Sequence, residues 1–148
     1  MINLIDTEEG AKKMTFASTL QNISAIETLL CEVKKEYSLT DELCDDIWIA
    51  LNEAVSNAIK HGNNFNLTKN VHLFVQTKED NYLCFTVKDE GEGFDFSSVP
   101  DPTNVDFIDK PNGRGVFLIN KLSDKVTWKD RGTSVEMYFD LKKSNFYF

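Results

Sequence analysis

Residues 46–62 read DIWIALNEAVSNAIKHG, and the reading of this stretch decides the fold. Its apolar positions Ile47, Leu51, Ala54, Val55 and Ala58 recur at three- and four-residue steps, which places them on one face of a helix. Beside that stripe runs a second row, Glu53, Asn57 and His61, spaced by fours and therefore stacked along one side. A solvated helix surface normally mixes Lys, Glu and Arg, and Asn is a mediocre helix former. Alone, Asn57 or His61 reads as a satisfied polar residue at the edge of a core. A carboxylate, a carboxamide and an imidazole in one line read instead as a helix bordering a polar pocket, provided other parts of the chain supply the rest of it.

Working outward, Thr40 followed by Asp41 and Glu42 is an N-cap with an acidic first turn, and Gly62 is placed to end the helix. Upstream, Ile23, Ile26, Leu30, Val33 and Tyr37 mark a first helix from about Gln21, with Lys34 and Lys35 suiting its C-terminal dipole. Residues 13–17 alternate as a short strand with Met14 and Phe16 inward; residues 1–11 carry no strong signal. Downstream, residues 63–66 belong to a polar loop, and residues 71–76 and 82–87 alternate as a hairpin. Residues 97–112 hold all three prolines, and a loop of that length in a compact domain is usually a functional lid. A short apolar helix is expected to open after Gly113-Arg114-Gly115, and a last hairpin to turn around residues 130–133. The aromatic tail, residues 144–148, docks on the core or meets a partner. This order predicts one α+β domain over residues 1–148, a two-layer sandwich of a mixed, mostly antiparallel sheet with helices on one face.

Composition narrows the function. The net charge of −8 argues against a sequence-independent nucleic-acid binder and against attraction to anionic membranes. An anionic small ligand stays open, because a helix N-terminus, glycine-rich backbone and a bound cation hold phosphates locally. Cys31, Cys44 and Cys84 are odd in number without a C-x-x-C pair, so each is expected to be a small buried hydrophobe. An acidic N-terminus and the lack of any stretch of transmembrane length predict a cytoplasmic protein.

Two further clusters carry chemistry. Asp89, Gly91 and Gly93 follow a strand, where glycines let a ligand approach the backbone and a carboxylate can accept a hydrogen bond from an amino group such as that of adenine. Gly113-Arg114-Gly115 stands at a helix start, where free amides and the dipole suit phosphate oxygens and Arg114 adds a charged contact. Alone, each is a turn.

Taken jointly and in order, the three clusters resemble the nucleotide pocket of the ATPase superfamily of DNA gyrase, heat-shock chaperones, histidine kinases and mismatch-repair ATPases. EAVSNAIKHG from Glu53 looks like its asparagine box, DEGEGFD from Asp89 its first glycine box, GRGVFLI from Gly113 its second, and Gly132-Thr133 a late Gly-Thr that closes the adenine site. Within the superfamily the motifs are most similar to the anti-sigma-factor serine/threonine kinases of bacteria, over about residues 13–142.

The resemblance implies a Bergerat-type ATP-binding fold holding Mg²⁺-ATP under a lid. It puts Asn57 on the metal, Asp89 on the adenine amino group, Gly91 and Gly93 against base and ribose, and Arg114 and the amides near Gly115 on the phosphates. Lys60, His61, Phe94, Gly113, Val116 and Thr133 would complete the nucleotide site. Glu53 would be the general base of an ATP-dependent serine kinase. The implied substrate is a small anti-anti-sigma protein, with a sigma factor as a second partner and a homodimer as the assembly. Two alternatives stand beside it: a nucleotide-dependent sequestering protein without phosphotransfer, and a stand-alone histidine-kinase-type ATPase domain. The chain's two histidines, His61 in the box and His72 in a strand, argue against the latter.

Overall fold

Alternation of apolar and polar residues sorts the strands onto one sheet. The structure, a computed structural model, describes residues 4–7, 10–79, 81–93 and 111–143. Strands β1 (Leu4–Asp6), β2 (Lys12–Ala17), β3 (Asn70–Lys78), β4 (Tyr82–Lys88), β5 (Lys125–Lys129) and β6 (Ser134–Asp140) form a six-stranded sheet in the order β1-β2-β3-β4-β6-β5. Every pairing is antiparallel, so the expected mixture of directions is absent among the described strands. Strand β1, which the sequence did not announce, adds to the edge through Leu4–Met14 and Asp6–Lys12. Three residues with one half-buried leucine carry too little pattern to be read alone.

The inward face presents Met14, Phe16, Leu73, Val75, Phe85, Val87, Met137 and Phe139, all buried. Phe85 and Phe139 meet edge to face at 5.9 Å. Against them pack Ile26, Leu29, Leu30 and Val33 of α1 (Ala25–Tyr37) and Ile47, Leu51, Ala54 and Val55 of α2 (Asp41–Asn57). A short 3-10 turn, Leu20–Ser24, leads into α1, where a continuous helix was expected. Helix α1 stops because Ser38 turns left-handed at φ 54°, and α2 starts because the Thr40 hydroxyl accepts the Leu43 N–H at 3.1 Å. Helix α3 (Pro111–Leu122) lies beside α2 and adds Ile119 to the core.

Helix α3 starts earlier than expected. Pro111 suits the first helical position, so Pro111 and Asn112 leave the expected lid and Gly113-Arg114-Gly115 fall inside the first turns. Residues 97–110 and the tail 144–148 lie outside the described residues. Cys84 is buried and its thiol pKa is pushed up by burial, but Cys44 is only half-buried and Cys31 is exposed on α1, against expectation. No helix among the described residues is long and apolar enough to cross a membrane. On the opposite face of the sheet the Glu136 carboxylate is buried between Lys78 and Lys129, each at 2.9 Å.

Candidate functional site

Helix α2 delivers Glu53 and Asn57 to the edge of its buried face, both half-buried. Helix α3 crosses them at Gly115, which is buried. A methyl group at Gly115 would stand 2.8 Å from Asn57 Nδ2 and 3.0 Å from Glu53 Oε2. The glycine therefore leaves room for a carboxylate and a carboxamide one turn apart, and among the described residues neither has a hydrogen-bond partner of its own. Both groups keep some exposure, so a ligand can reach them from outside the fold.

The regular α-helix ends at Asn57. After Asn57 the helix widens into a π turn, Ala58–Gly62, closed by the Asn63 N–H on the Ala58 carbonyl five residues back at 2.8 Å. Lys60 and His61 lie in this turn, both exposed. Partial desolvation, with the charge of Lys60, holds the His61 imidazole below its usual pKa. The π turn also aims Gly62 at the second cluster. A side chain at Gly62 would collide with the Asp89 carboxylate, and one at Gly91 would overlap the Gly62 carbonyl oxygen.

Asp89 continues strand β4 by one residue, its N–H donating to the Thr133 carbonyl at 2.8 Å. Its Oδ1 accepts the Gly91 N–H at 2.9 Å, while Oδ2 lies against Gly62. Burial pushes the Asp89 carboxyl pKa up, against the opposing pull of that N–H and of Lys69. Gly93 sits at φ +87°, and a side chain there would stand 2.6 Å from the Arg131 carbonyl. The β5–β6 turn, with Asp130 and Arg131 both left-handed, thus closes over the glycine turn and brings Thr133 beside Asp89. The Thr133 hydroxyl itself donates to the Asp130 carbonyl at 2.8 Å.

These contacts join Glu53, Asn57 and Gly115 in one group, and Gly62, Asp89, Gly91, Gly93 and Thr133 in another, with the end of α2 common to both. Phe94 lies outside the described residues. Gly113 and Arg114 fall within the first four helical positions of α3, whose N–H groups have no partner inside the helix. Gly115 is one residue beyond them, so the amides open to an anion precede it. Val116 is half-buried in α3.

One residue the sequence reading passed over holds the site together. Asn63, 1% exposed, donates through Nδ2 to Ser18 Oγ at 2.8 Å and to the Asn70 carbonyl at 2.9 Å, and its Oδ1 accepts the Glu90 N–H at 2.8 Å. A fully satisfied buried carboxamide links the π turn to β2, β3 and the Asp89 turn. In sequence it was one of several loop asparagines, and only its place directly after the helix-ending glycine sets it apart.

Comparison with known proteins follows the same lines. Residues 16–139 match the histidine kinase-like ATPase domain family. The serine-protein kinase RsbW of Staphylococcus aureus strain JH9 is 28% identical over 151 residues, spanning 94% of this chain and 92% of that protein. The same protein from strain Newman aligns equally, at 28% identity. Among solved structures, the histidine kinase domain of the Erythrobacter litoralis EL346 blue-light activated histidine kinase superposes with a TM-score of 0.51 at 23% identity. That match covers 71% of this chain and 48% of the other, about half its length, and at such identity it is a likeness of fold alone.

Proposed function

The chain belongs to the histidine kinase-like ATPase domain family, and on that premise we propose that it is an ATP-dependent protein serine kinase acting on a small anti-anti-sigma partner and sequestering a sigma factor. The observation that carries the proposal is the meeting of Glu53 and Asn57 across Gly115, with no protein partner for either among the described residues. Similarity to the Staphylococcus aureus serine-protein kinase supports the reaction class.

In this reading Asp89 receives the adenine amino group at its Oδ2 side, where Gly62 has no side chain to intrude. The free amides of α3 at Gly113 and Arg114 hold phosphate oxygens. Asn57 offers one oxygen to Mg²⁺, which suits an ion that keeps several waters and takes its other ligands from phosphates. Among the described residues no cluster of three His, Cys, Asp or Glu forms a metal site by itself, so the ion would arrive with the nucleotide. When bound, Mg²⁺ supplies charge neutralisation at the phosphates. Glu53 takes the proton of the serine hydroxyl as its oxygen bonds to the γ-phosphorus and the bond to ADP breaks. Glu53 and Asn57, one turn apart, address the same phosphate from one helix.

The test is transfer of labelled γ-phosphate to candidate small partner proteins. Glu53→Gln should keep nucleotide affinity and lose transfer by roughly 10²–10⁴-fold. Asn57→Ala should lose both. A partner that binds tightly only with ATP, yet never acquires phosphate from the wild type, would establish sequestration without catalysis and overturn the kinase reading.

A further inference from the structure

The turn that carries Asp89 is gripped from its far side as well. Glu90, between Asp89 and Gly91, turns its side chain away from Gly62 toward the strands. Its Oε1 accepts the backbone N–H of Asn70 at 2.9 Å and its Oε2 meets His72 Nε2 at 2.7 Å. The other ring nitrogen, His72 Nδ1, lies 3.1 Å from the hydroxyl of Thr15, its register partner on β2. The carboxylate can only accept, so Nε2 donates to it, while the threonine hydroxyl can serve as donor or acceptor at Nδ1. The Asn70 N–H above all, with His72 beside it, holds the Glu90 carboxyl below its usual pKa.

We propose that Glu90, His72 and Thr15 form a clasp that sets the roll of the Asp89 turn, making them positioning residues for discrimination of adenine from other bases. The proposal rests on the assignment of Asp89 to the base. Each backbone N–H of the turn has its own fastening: Asp89 on Thr133, Glu90 on Asn63 Oδ1, Gly91 on Asp89 Oδ1. Those bonds fix where the turn sits and tie the Asp89 carboxylate to Gly91, and a further hold from the β3 side resists rotation of the turn about the strand axis. The Glu90 side chain is the lever that stops it, because it reaches across to β3 while the Asp89 side chain reaches to Gly62. Releasing the lever lets the carboxylate swing off the position that the missing side chain of Gly62 leaves for it. A base that needs an acceptor at that point is then bound less well, while one that does not is little affected.

The flanking charges are arranged so that the clasp stays local. Lys88, opposite His72 in the β3–β4 register, has its ammonium over the Phe74 ring at 5.3 Å, and Lys13 approaches the same ring at 5.4 Å. Lys69 bears on both Asp89 and Glu90.

The experiment is calorimetric titration of the full chain with Mg²⁺-ATP and Mg²⁺-GTP, alongside thermal melts, for wild type, Glu90→Ala, Glu90→Gln, His72→Ala, the double alanine variant and Asp89→Asn. Glu90→Ala and His72→Ala should each lower the ATP-to-GTP affinity ratio by about tenfold, the worth of one charge-assisted hydrogen bond. The double variant should lose no more than the worse single one, and Glu90→Gln, which keeps the shape and one acceptor oxygen but turns an amide donor on the other partner, should fall between wild type and Glu90→Ala. An unchanged ratio in both alanine variants overturns the clasp, as does a parallel loss of ATP and GTP affinity that merely tracks a lower melting temperature. Asp89→Asn reports separately on the underlying assignment: a wild-type ratio there removes Asp89 from base reading, and the clasp's purpose with it.

Discussion

Replacing Gly115 by alanine separates the site from the fold. The new methyl would stand 2.8 Å from Asn57 Nδ2, 3.0 Å from Glu53 Oε2 and 3.4 Å from Asn57 Oδ1. Ordinary van der Waals contact begins near 3.5 Å, so the two polar groups must retreat by about half an ångström. Both are ends of flexible side chains, so they yield and the backbone does not. Crowding of this kind costs about 1–3 kcal/mol, while alanine in place of glycine within a helix returns about 1 kcal/mol. The net loss of stability should be small, on the order of 1 kcal/mol. Function is less forgiving, since a misplacement of about 1 Å costs about 10²-fold and half that distance should cost about tenfold. The assays are a urea melt, calorimetry with Mg²⁺-ADP and transfer of labelled phosphate. Unimpaired nucleotide affinity together with unimpaired transfer in a folded Gly115→Ala protein would refute the idea that Glu53 and Asn57 act from their observed positions.

Other expectations are more local. Burial raises the Asp89 pKa in the folded chain, so this group favours folding below its unfolded pKa and loses that contribution as pH rises through the folded one. Asp89→Asn should therefore raise the melting temperature of the nucleotide-free protein at neutral pH and flatten its dependence on acidification, while weakening ATP binding. Glu136 is the opposite case: burial pushes its pKa up, but the hydrogen bonds from Lys129 and Lys78 prevail and lower it. Its contribution is present above the unfolded pKa and lost as pH falls through the folded one, so Glu136→Gln should cost about 1–2 kcal/mol in urea at pH 7 and close to nothing in strong acid. Thr40→Ala should cost about 1 kcal/mol in the same assay by removing the cap on the Leu43 N–H, with no effect on nucleotide affinity.

What the sequence disclosed depended on the range of the interaction. The α2 stripe, the Thr40 cap, both hairpins and the inward set Met14 and Phe16 are local patterns, and the structure has them where the spacing put them. The juxtaposition of Asp89 with Gly62 and of Gly93 with Arg131 joins residues far apart in the chain; the family resemblance put Asp89, Gly93 and Gly132-Thr133 in one pocket, but neither of these two contacts was read from the sequence. The π turn was invisible because helical periodicity assumes a constant pitch. Asn63 and Glu136 were passed over because polar residues in a loop and on an exposed strand face are normally solvated. Their burial follows from partners supplied by other strands.

The π turn has a further consequence for how this helix tolerates changes in length. Upstream of Ala58 the phase of α2 is dictated by the core, through Ile47, Leu51, Ala54 and Val55; downstream, Gly62 and Asn63 must be phased to the ends of β3 and β4. Two sets of constraints meet on one continuous helix, and a uniform α pitch would not satisfy both. The surplus residue in the last turn works as a phase adjuster between them. Deleting one residue between Ala58 and Gly62 would let the turn relax to α-helix with the chain after it near its present phase, whereas a deletion in the regular part of α2 would rotate everything after it by roughly 100° and carry Asn63 away from Ser18 and Asn70. The helix thus tolerates a one-residue change of length at its last turn and not in the stretch before it.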